Sequence, residues 1–216
     1  MKKDRIFTIQ NIGSAIVVAL LIISFSVVFT LNFKPLYYAS IGHLDIPATS
    51  GFEKEKIIEN YDALIEYNFL FSRGELEFPS LPMSEHGRIH FEEVKAIFDG
   101  IQIMLIVAFV LCVLLYIFRY KKGKTYFVRM GATLAVVMPI VLGAIIAANW
   151  QYFFVAFHEL FFNNDYWIFD PSKDPVITIL PDEFFMYCAI MILVVIVVVS
   201  ALLFFIEYRK GKKEIQ

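Results

Sequence analysis

Long apolar segments alternate with polar stretches along this chain of 216 residues. Each apolar segment has about 20 residues, the length that an α-helix needs to cross the hydrocarbon core of a bilayer. Two longer polar stretches separate the segments, residues 34–96 and residues 151–183. The pattern therefore predicts four membrane-spanning helices, at about residues 12–33, 97–118, 128–150 and 184–206.

The charges of the polar stretches are distributed unevenly and predict the orientation of the chain. Of the 19 Lys and Arg residues, 12 lie near the two termini and between the second and third spans. The stretches 34–96 and 151–183 hold 17 of the 21 acidic residues and all four histidines, and an eighteenth acidic residue, Asp99, lies at the outer start of the second predicted span. Loops rich in Lys and Arg stay on the cytoplasmic side. The 12 Lys and Arg residues predicted to lie on the cytoplasmic side are Lys2, Lys3, Arg5, Arg119, Lys121, Lys122, Lys124, Arg129, Arg209, Lys210, Lys212 and Lys213.

We therefore expect an all-α membrane protein with four transmembrane helices and both termini inside. Residues 1–216 would form a single membrane domain, and the two outer loops would form a small, mainly helical extracellular cap. The composition agrees, because 59% hydrophobic residues and a mean hydropathy of +0.67 exceed what a soluble domain carries. The acidic outer surface is unfavourable for binding phosphates, which argues against a nucleic-acid partner.

The first apolar segment is longer than the roughly 7–15 residues of a signal-peptide core, and no small-residue cleavage site closes it. We interpret it as an uncleaved signal anchor. The two cysteines, Cys112 and Cys188, fall within predicted spans, so a framework of extracellular disulfides is not expected.

An amphipathic helix is predicted in the first outer loop. Residues Ser50 to Glu53 have the spacing of a capping box. Packing of this helix across the ends of the membrane helices is one interpretation, and the alternative is that Asn60, Tyr61 or Asp62 reaches into a site. The apolar residues that recur at helical spacing are Ile57, Ile58, Tyr61, Leu64, Ile65 and Phe69.

A second helix is expected to begin after Ser84, as its N-cap, and to continue into the second span. This helix places His86, His90 and Glu93 on one face, with Arg88 on the adjacent face. A carboxylate one turn from an imidazole can fix its tautomer and raise its basicity. The alternative is an ordinary solvated helix face with scattered charges.

His158 lies in a run of aromatic residues, Trp150–Phe162, that begins without a polar break. Aromatic residues gather at the membrane–water boundary, and burial there favours neutral imidazole, the form that accepts a proton. A structural histidine is the alternative, although a polar group in such surroundings is costly unless it is used.

Further on, the apolar run Val176–Leu180 between two prolines predicts a strand or an interfacial plug.

Several familiar chemistries find little support in these residues. The segment from His86 to His90 lacks the glutamate that follows the first histidine in the His-Glu-x-x-His zinc motif. Neither a Gly-x-Ser-x-Gly elbow nor a P-loop nor a dinucleotide fingerprint is present. Cys112 lies deep in its span, and the apolar surroundings of Cys188 disfavour a thiolate. We therefore expect neither a metal nor a cofactor, and a substrate that brings its own nucleophile.

One group of short segments carries a family resemblance through its combination and order along the whole chain. These segments are Ser84-Glu85, His90-Phe91-Glu92-Glu93-Val94-Lys95, Phe157-His158, Phe161-Phe162, Trp167 and Pro181. In this order, and with this length and topology, they resemble the lipoprotein intramolecular transacylases, four-span integral membrane proteins of Gram-positive bacteria. The resemblance implies an enzyme of the bacterial plasma membrane that acts at the outer leaflet, among membrane lipids. Its substrate would be a diacylglyceryl lipoprotein, whose sn-2 acyl chain moves to the α-amino group of the lipidated cysteine and leaves a lyso-form lipoprotein.

Such an ester-to-amide shift needs no acyl-enzyme, only a deprotonated amine held near the ester and a stabilised oxyanion. We expect His158 to be the general base that acts on the amine. Either His86 or His90 would protonate the leaving glycerol oxygen. His43, which has no recognisable partner in the sequence, is given no role.

Supporting roles follow from the same reaction. Arg88 would stabilise the oxyanion or bind the peptide portion, and Glu85 or Glu93 would orient an imidazole. Two other classes of protein compete with this interpretation, a non-enzymatic membrane sensor or accessory protein and a metal-dependent membrane hydrolase. Further candidates for contact with the substrate are Tyr61, Asp62 and Trp167.

Overall fold

The structure is a computed structural model that describes residues 8–123 and 125–213. These residues contain α-helices, a single 3-10 turn and no strand, which confirms the expected all-helical fold. Lys2, Lys3, Arg5 and Lys124, four of the basic residues in the predicted inner stretches, lie outside the described residues. The helices are α1 (Ile9–Asn32), α2 (Lys34–His43), α3 (Ile46–Ser50), α4 (Lys54–Tyr67), α5 (Glu85–Phe118), α6 (Tyr126–Ala148), α7 (Trp150–Phe161), α8 (Val176–Ile179) and α9 (Asp182–Lys213).

Among the described residues, three helices are long and apolar enough to cross a membrane. They are α1, α5 and the part of α9 over Asp182–Arg209. The fourth predicted span corresponds to α6, a helix of 23 residues with Pro139 in its interior, whose described apolar part covers Tyr126–Val141. The chain therefore contains long apolar helices of the kind found in membrane proteins.

Contacts between residues divide the chain into two compact units. The first comprises residues up to Val27, Gln102–Ala144 and residues from Met191 onward. Its core contains small side chains such as Ala15 and Ala132, both fully buried, which let helix backbones approach closely. The second unit comprises Val28–Ile101 and Ile145–Ile190 and contains all four histidines.

The core of the second unit is built around Tyr37 on α2. Its hydroxyl donates a hydrogen bond of 2.7 Å to the carbonyl of Ile179 on α8. Its ring stacks on Tyr61 of α4 at 3.7 Å between centroids and meets the edge of Phe184 at 5.0 Å. These contacts hold α2, α4, α8 and the start of α9 together.

The amphipathic helix predicted in the first outer loop is present as α4, with Ile57, Tyr61, Leu64 and Ile65 buried on one face. Its predicted capping box is wrong, because α4 begins at Lys54 and no side chain caps it. Ser50 instead ends α3, and the next residue turns the chain with a positive φ of 74°.

The strand predicted over Val176–Leu180 is also wrong, because this segment forms the single-turn helix α8. The amide of Ile177 donates to the Asp174 carbonyl at 3.2 Å, and the amide of Thr178 donates to the Pro175 carbonyl at 2.9 Å. These local bonds close a helical turn, and the spacing of Val176 and Ile179 buries both side chains in the core.

Candidate active site

Helix α5 begins where the sequence predicted and carries the first histidine pair. Ser84 is its N-cap, and the Ser84 hydroxyl accepts a hydrogen bond of 3.1 Å from the amide of Gly87. In the first three turns of α5, His86, His90 and Glu93 share one face. All three contact the chain between residues 158 and 169, so the face packs against that segment, although His86 at its start is exposed.

The aromatic run forms a helix of its own, α7, because Asn149 interrupts the preceding helix and caps the new one. The Asn149 side chain accepts a hydrogen bond of 3.0 Å from the amide of Tyr152. His158 lies in the last turn of α7, with Nδ1 at 2.7 Å from the carbonyl oxygen of Phe154. Since a carbonyl only accepts, we assign the ring hydrogen to Nδ1. The Nε2 atom then carries the lone pair and can accept a proton.

Aromatic rings surround the His158 imidazole. Trp167 stacks on it at 4.6 Å between centroids, and Phe154 and Phe162 lie at 4.4 Å and 5.6 Å. Burial lowers the pKa of His158, and the hydrogen bond to the Phe154 carbonyl opposes part of that effect. The ring is half-buried and therefore neutral at physiological pH.

His90 is more deeply buried than His158, with 5% of its surface exposed. Its ring centroid lies 6.1 Å from that of His158, and the rings of Phe162 and Phe169 cover it at 4.7 Å and 5.4 Å. Burial, and secondarily the proximity of His158, lower the pKa of His90 to about 4. His90 precedes the apolar stretch that starts at Ile97 and is neutral at physiological pH.

His86 differs from His90 because it is exposed. Its ring stacks on Tyr166 at 4.1 Å between centroids. Tyr166 and Trp167 are consecutive, and they cover His86 and His158 respectively. One loop after α7 thus contacts both the exposed histidine of α5 and the half-buried histidine of α7.

Glu93 contacts this loop through an amide rather than an imidazole. One carboxylate oxygen accepts a hydrogen bond of 2.8 Å from Asn164 Nδ2. The other oxygen is buried and has no hydrogen-bond partner among the described residues. The side-chain oxygen Oδ1 of Asn164 in turn accepts a hydrogen bond of 3.0 Å from the amide of Tyr166, which fixes the residue that stacks on His86. Asn164 was missed in the sequence, because its partner Glu93 lies 71 residues away along the chain.

Arg88 and Glu85 bind each other at the exposed surface of α5. The Arg88 guanidinium pairs with both Glu85 and Glu92. The hydrogen bond to Arg88 is the largest cause of the lowered pKa of Glu85. The carboxylates that Arg88 binds are therefore neighbours on its own helix, and neither Arg88 nor Glu85 forms a hydrogen bond to a histidine among the described residues.

The three residues considered for substrate contact lie in different surroundings. Tyr61 is 4% exposed and belongs to the stacked core of the second unit. Asp62 binds the Tyr38 hydroxyl and the Lys34 ammonium. Of these three residues, only Trp167 lies against a histidine.

Three or more metal-binding side chains do not converge anywhere in the residues that the structure describes.

Comparison with known proteins identifies the family. The model of the lipoprotein intramolecular transacylase family, Lit, matches residues 12–185. The chain belongs to this family. A solved structure of the membrane-integral lipoprotein intramolecular transacylase Lit from Bacillus cereus is 39% identical to it, with a TM-score of 0.91, and the match covers 95% of this chain and 96% of that one.

Two further structures of the Bacillus cereus transacylase, in which one histidine is replaced by arginine or by alanine, match at 38% identity and a TM-score of 0.86. These matches cover 95% of this chain and 92% or 94% of those chains. No curated protein matches the chain. As a Lit family member, the chain is a membrane acyltransferase, and its substrates are lipoproteins.

Proposed function

We propose that this transacylase moves the sn-2 acyl chain of a diacylglyceryl-cysteine to the α-amino group of the same cysteine by histidine acid–base catalysis. The observation that carries the proposal is the hydrogen bond of 2.7 Å between His158 Nδ1 and the Phe154 carbonyl. It holds the imidazole in the tautomer whose Nε2 accepts a proton. A half-buried neutral imidazole is a suitable general base for an ammonium group.

The reaction balances without an acyl-enzyme. His158 Nε2 accepts a proton from the α-ammonium, and the freed amine attacks the ester carbonyl carbon. A carbon–nitrogen bond forms, the tetrahedral oxyanion collapses, and the bond between that carbon and the glycerol oxygen breaks. The attacking nitrogen gives up a second proton and the glycerol oxygen takes up one, so the products are an amide and a free hydroxyl, and the overall reaction releases the one proton first held by the ammonium. Because amine and ester belong to one molecule, proximity supplies much of the rate enhancement.

The exposure of the two α5 histidines separates their roles. A group that protonates the leaving oxygen must meet the substrate, and His86 is exposed whereas His90 is 5% exposed. We assign proton donation to His86. His90, neutral and enclosed by Phe162 and Phe169, packs beside His158 and keeps that side of the site dry.

The remaining candidates support this arrangement in different ways. Arg88 is neutralised by Glu85 and Glu92, so its role is to stabilise the first turns of α5 rather than to carry the oxyanion. Glu93 holds the loop through Asn164. Trp167, stacked on His158, is the residue of the three substrate candidates that can contact a bound lipid or peptide.

The packing of the histidines supports a topology of four spans with both termini inside. His90 lies before the apolar part of α5, and His158 follows α6. Because their rings pack together at 6.1 Å, the chain must return to the same side of the membrane between them. Passage of α5 outward-to-inward therefore requires α6 to cross back. The basic stretches of the sequence support a position of the histidines at the outer leaflet of the plasma membrane.

Single alanine substitutions test the histidine roles. In cells that supply a diacylglyceryl lipoprotein, His158→Ala and His86→Ala should each lower conversion to the lyso form by about 10²–10⁴-fold, the usual contribution of general acid–base catalysis. Mass spectrometry of the lipoprotein N-terminus measures the conversion. His43→Ala is the matched control, because His43 is exposed and its only described ring contact is with Tyr187. Wild-type conversion by the His158 variant would overturn the proposal.

A further inference from the structure

A buried carboxylate joins the second outer loop to the start of α5. Asp174 is 3% exposed. One of its oxygens accepts a hydrogen bond of 2.7 Å from the amide of Ser84, and the other accepts one of 2.7 Å from the Ser84 hydroxyl. The same hydroxyl accepts from the amide of Gly87. Asp174 thus completes the N-terminal cap of the helix that carries His86 and His90, where the helix dipole favours a negative charge.

Gly87 shows how closely the two segments approach. A Cβ atom at this position would overlap Asp174 Oδ1 and would lie 3.1 Å from Asp174 Cγ and 3.2 Å from Met83 Cγ. Gly87 has ordinary helical geometry, so the backbone conformation does not require glycine. Glycine is unfavourable inside a helix. The close approach of Asp174 is therefore the physical reason for a glycine in this turn.

We propose that Asp174, Ser84 and Gly87 form a clamp that positions the histidines of α5 against the loop that follows α7. His86 lies between Ser84 and Gly87. The loop that contains Tyr166 and Trp167 is held by α7 at one end and by Asp174 at the other. The clamp residues are positioning residues, and the inference rests on the proposed roles of His86 and His158.

Histidine reactivity tests the clamp independently of turnover. Asp174→Ala should loosen the contact and raise the rate at which diethylpyrocarbonate modifies His90 several-fold, as measured by mass spectrometry of the purified full-length protein. Exposed His43 serves as the internal reference. Asp170→Ala is the matched control, because Asp170 is an exposed carboxylate of the same loop that bonds to Ser172 within the loop.

Turnover should fall in parallel, because a displacement of about 1 Å in a reacting group can cost about 100-fold. We expect this loss in Asp174→Ala and not in Asp170→Ala. Asp174→Asn keeps one acceptor oxygen for Ser84 and should recover part of the turnover. If the alanine variant does not fold, the histidine reactivity and the turnover are measured on Asp174→Asn instead.

A double-mutant cycle tests the steric part of the clamp. Gly87→Ala should reduce turnover strongly in the wild-type background. In the Asp174→Ala background the carboxylate that a Cβ would meet is absent, so the same substitution should have little further effect. Equal losses in both backgrounds would contradict the close approach as the reason for Gly87.

The outcomes distinguish the clamp from the proposed function. If the reactivity of His90 is the same in Asp174→Ala as in the control Asp170→Ala, the clamp proposal is wrong, whatever happens to turnover. If the reactivity of His90 rises while turnover stays at the wild-type level, the clamp is supported and the proposed histidine roles are contradicted.

Discussion

The surroundings of the His158 imidazole consist of one hydrogen bond and four aromatic rings. The Phe154 carbonyl fixes the tautomer, and Phe154, Phe157, Phe162 and Trp167 remove water from around the ring. Desolvation disfavours the charged imidazolium, so the pKa of His158 is lowered below its ordinary value of 6.5. A more acidic solution is then needed to protonate the base.

The pH dependence of turnover follows from this shift. Since the proposed base is neutral His158, turnover should rise with pH on the acid side through a midpoint below 6.5, the ordinary pKa of the group. Trp167→Ala should move the midpoint upward, because the uncovered ring regains water. The measurement is the initial rate of lyso-form production in detergent micelles as a function of pH.

His158→Gln is the control, because glutamine does not titrate. The residual activity of this variant should no longer fall as the pH is lowered. A limb near the ordinary pKa of an α-amino group, about 8, would show that the amine must arrive already deprotonated. That result would contradict general-base catalysis by His158.

At the scale of secondary structure, the second unit depends on contacts between short helices. Helix α8 has one turn and cannot be stable alone. It is held by the Tyr37 hydroxyl, which donates to the Ile179 carbonyl, and by the burial of Val176 and Ile179. Asp174, immediately before this turn, belongs to the same junction.

Tyr37→Phe tests this junction. The substitution leaves the Ile179 carbonyl buried without its donor, which should lower the free energy of unfolding by about 1–3 kcal/mol. The thermal unfolding midpoint of the purified protein measures the effect. Tyr152→Phe, at a residue 69% exposed, should change the midpoint little, and an equally small change for Tyr37→Phe would contradict the role of this bond.

The sequence predicted those elements whose determinants are local. The periodicity of α4 and the cap at Ser84 are properties of a few consecutive residues, and both are confirmed. The capping box at Ser50 and the strand over Val176–Leu180 were wrong, because a positive φ at Gly51 and turn-closing bonds near Pro175 decide those segments. Helices α2 and α3 were too short to show as a periodic pattern.

The same distinction applies to the candidate site. The aromatic surroundings of His158 were visible because most of those rings are its neighbours in sequence. Asn164 bonds to Glu93 across 71 residues, and Asp174 bonds to Ser84 across 90. No local pattern indicates such pairs. Arg88, by contrast, was expected near the reaction, and its pairing with Glu85 and Glu92 followed from their spacing of three and four residues along α5.

For the whole molecule, the number of membrane crossings decides whether the histidines of α5 and α7 lie on the same side of the membrane. By length and composition α1, α5 and α9 qualify as spans among the described helices, and α6 is the shorter candidate. With three crossings, the histidines of α5 and α7 would face opposite sides of the membrane. Their packing in the second unit and the basic stretches both favour the fourth crossing by α6.

Labelling of single cysteines in intact cells tests this topology, in a background that carries Cys112→Ala and Cys188→Ala. Exposed positions in the acidic loops, Glu55→Cys and Lys173→Cys, should react with a membrane-impermeant maleimide. Arg209→Cys, at an exposed position after the last apolar stretch, should react only after permeabilisation, because four crossings return the C-terminus to the inside. Reaction of Arg209→Cys in intact cells, with Glu55→Cys also labelled, would indicate three crossings and would separate His86 from His158, so the proposed reaction could not take place between them.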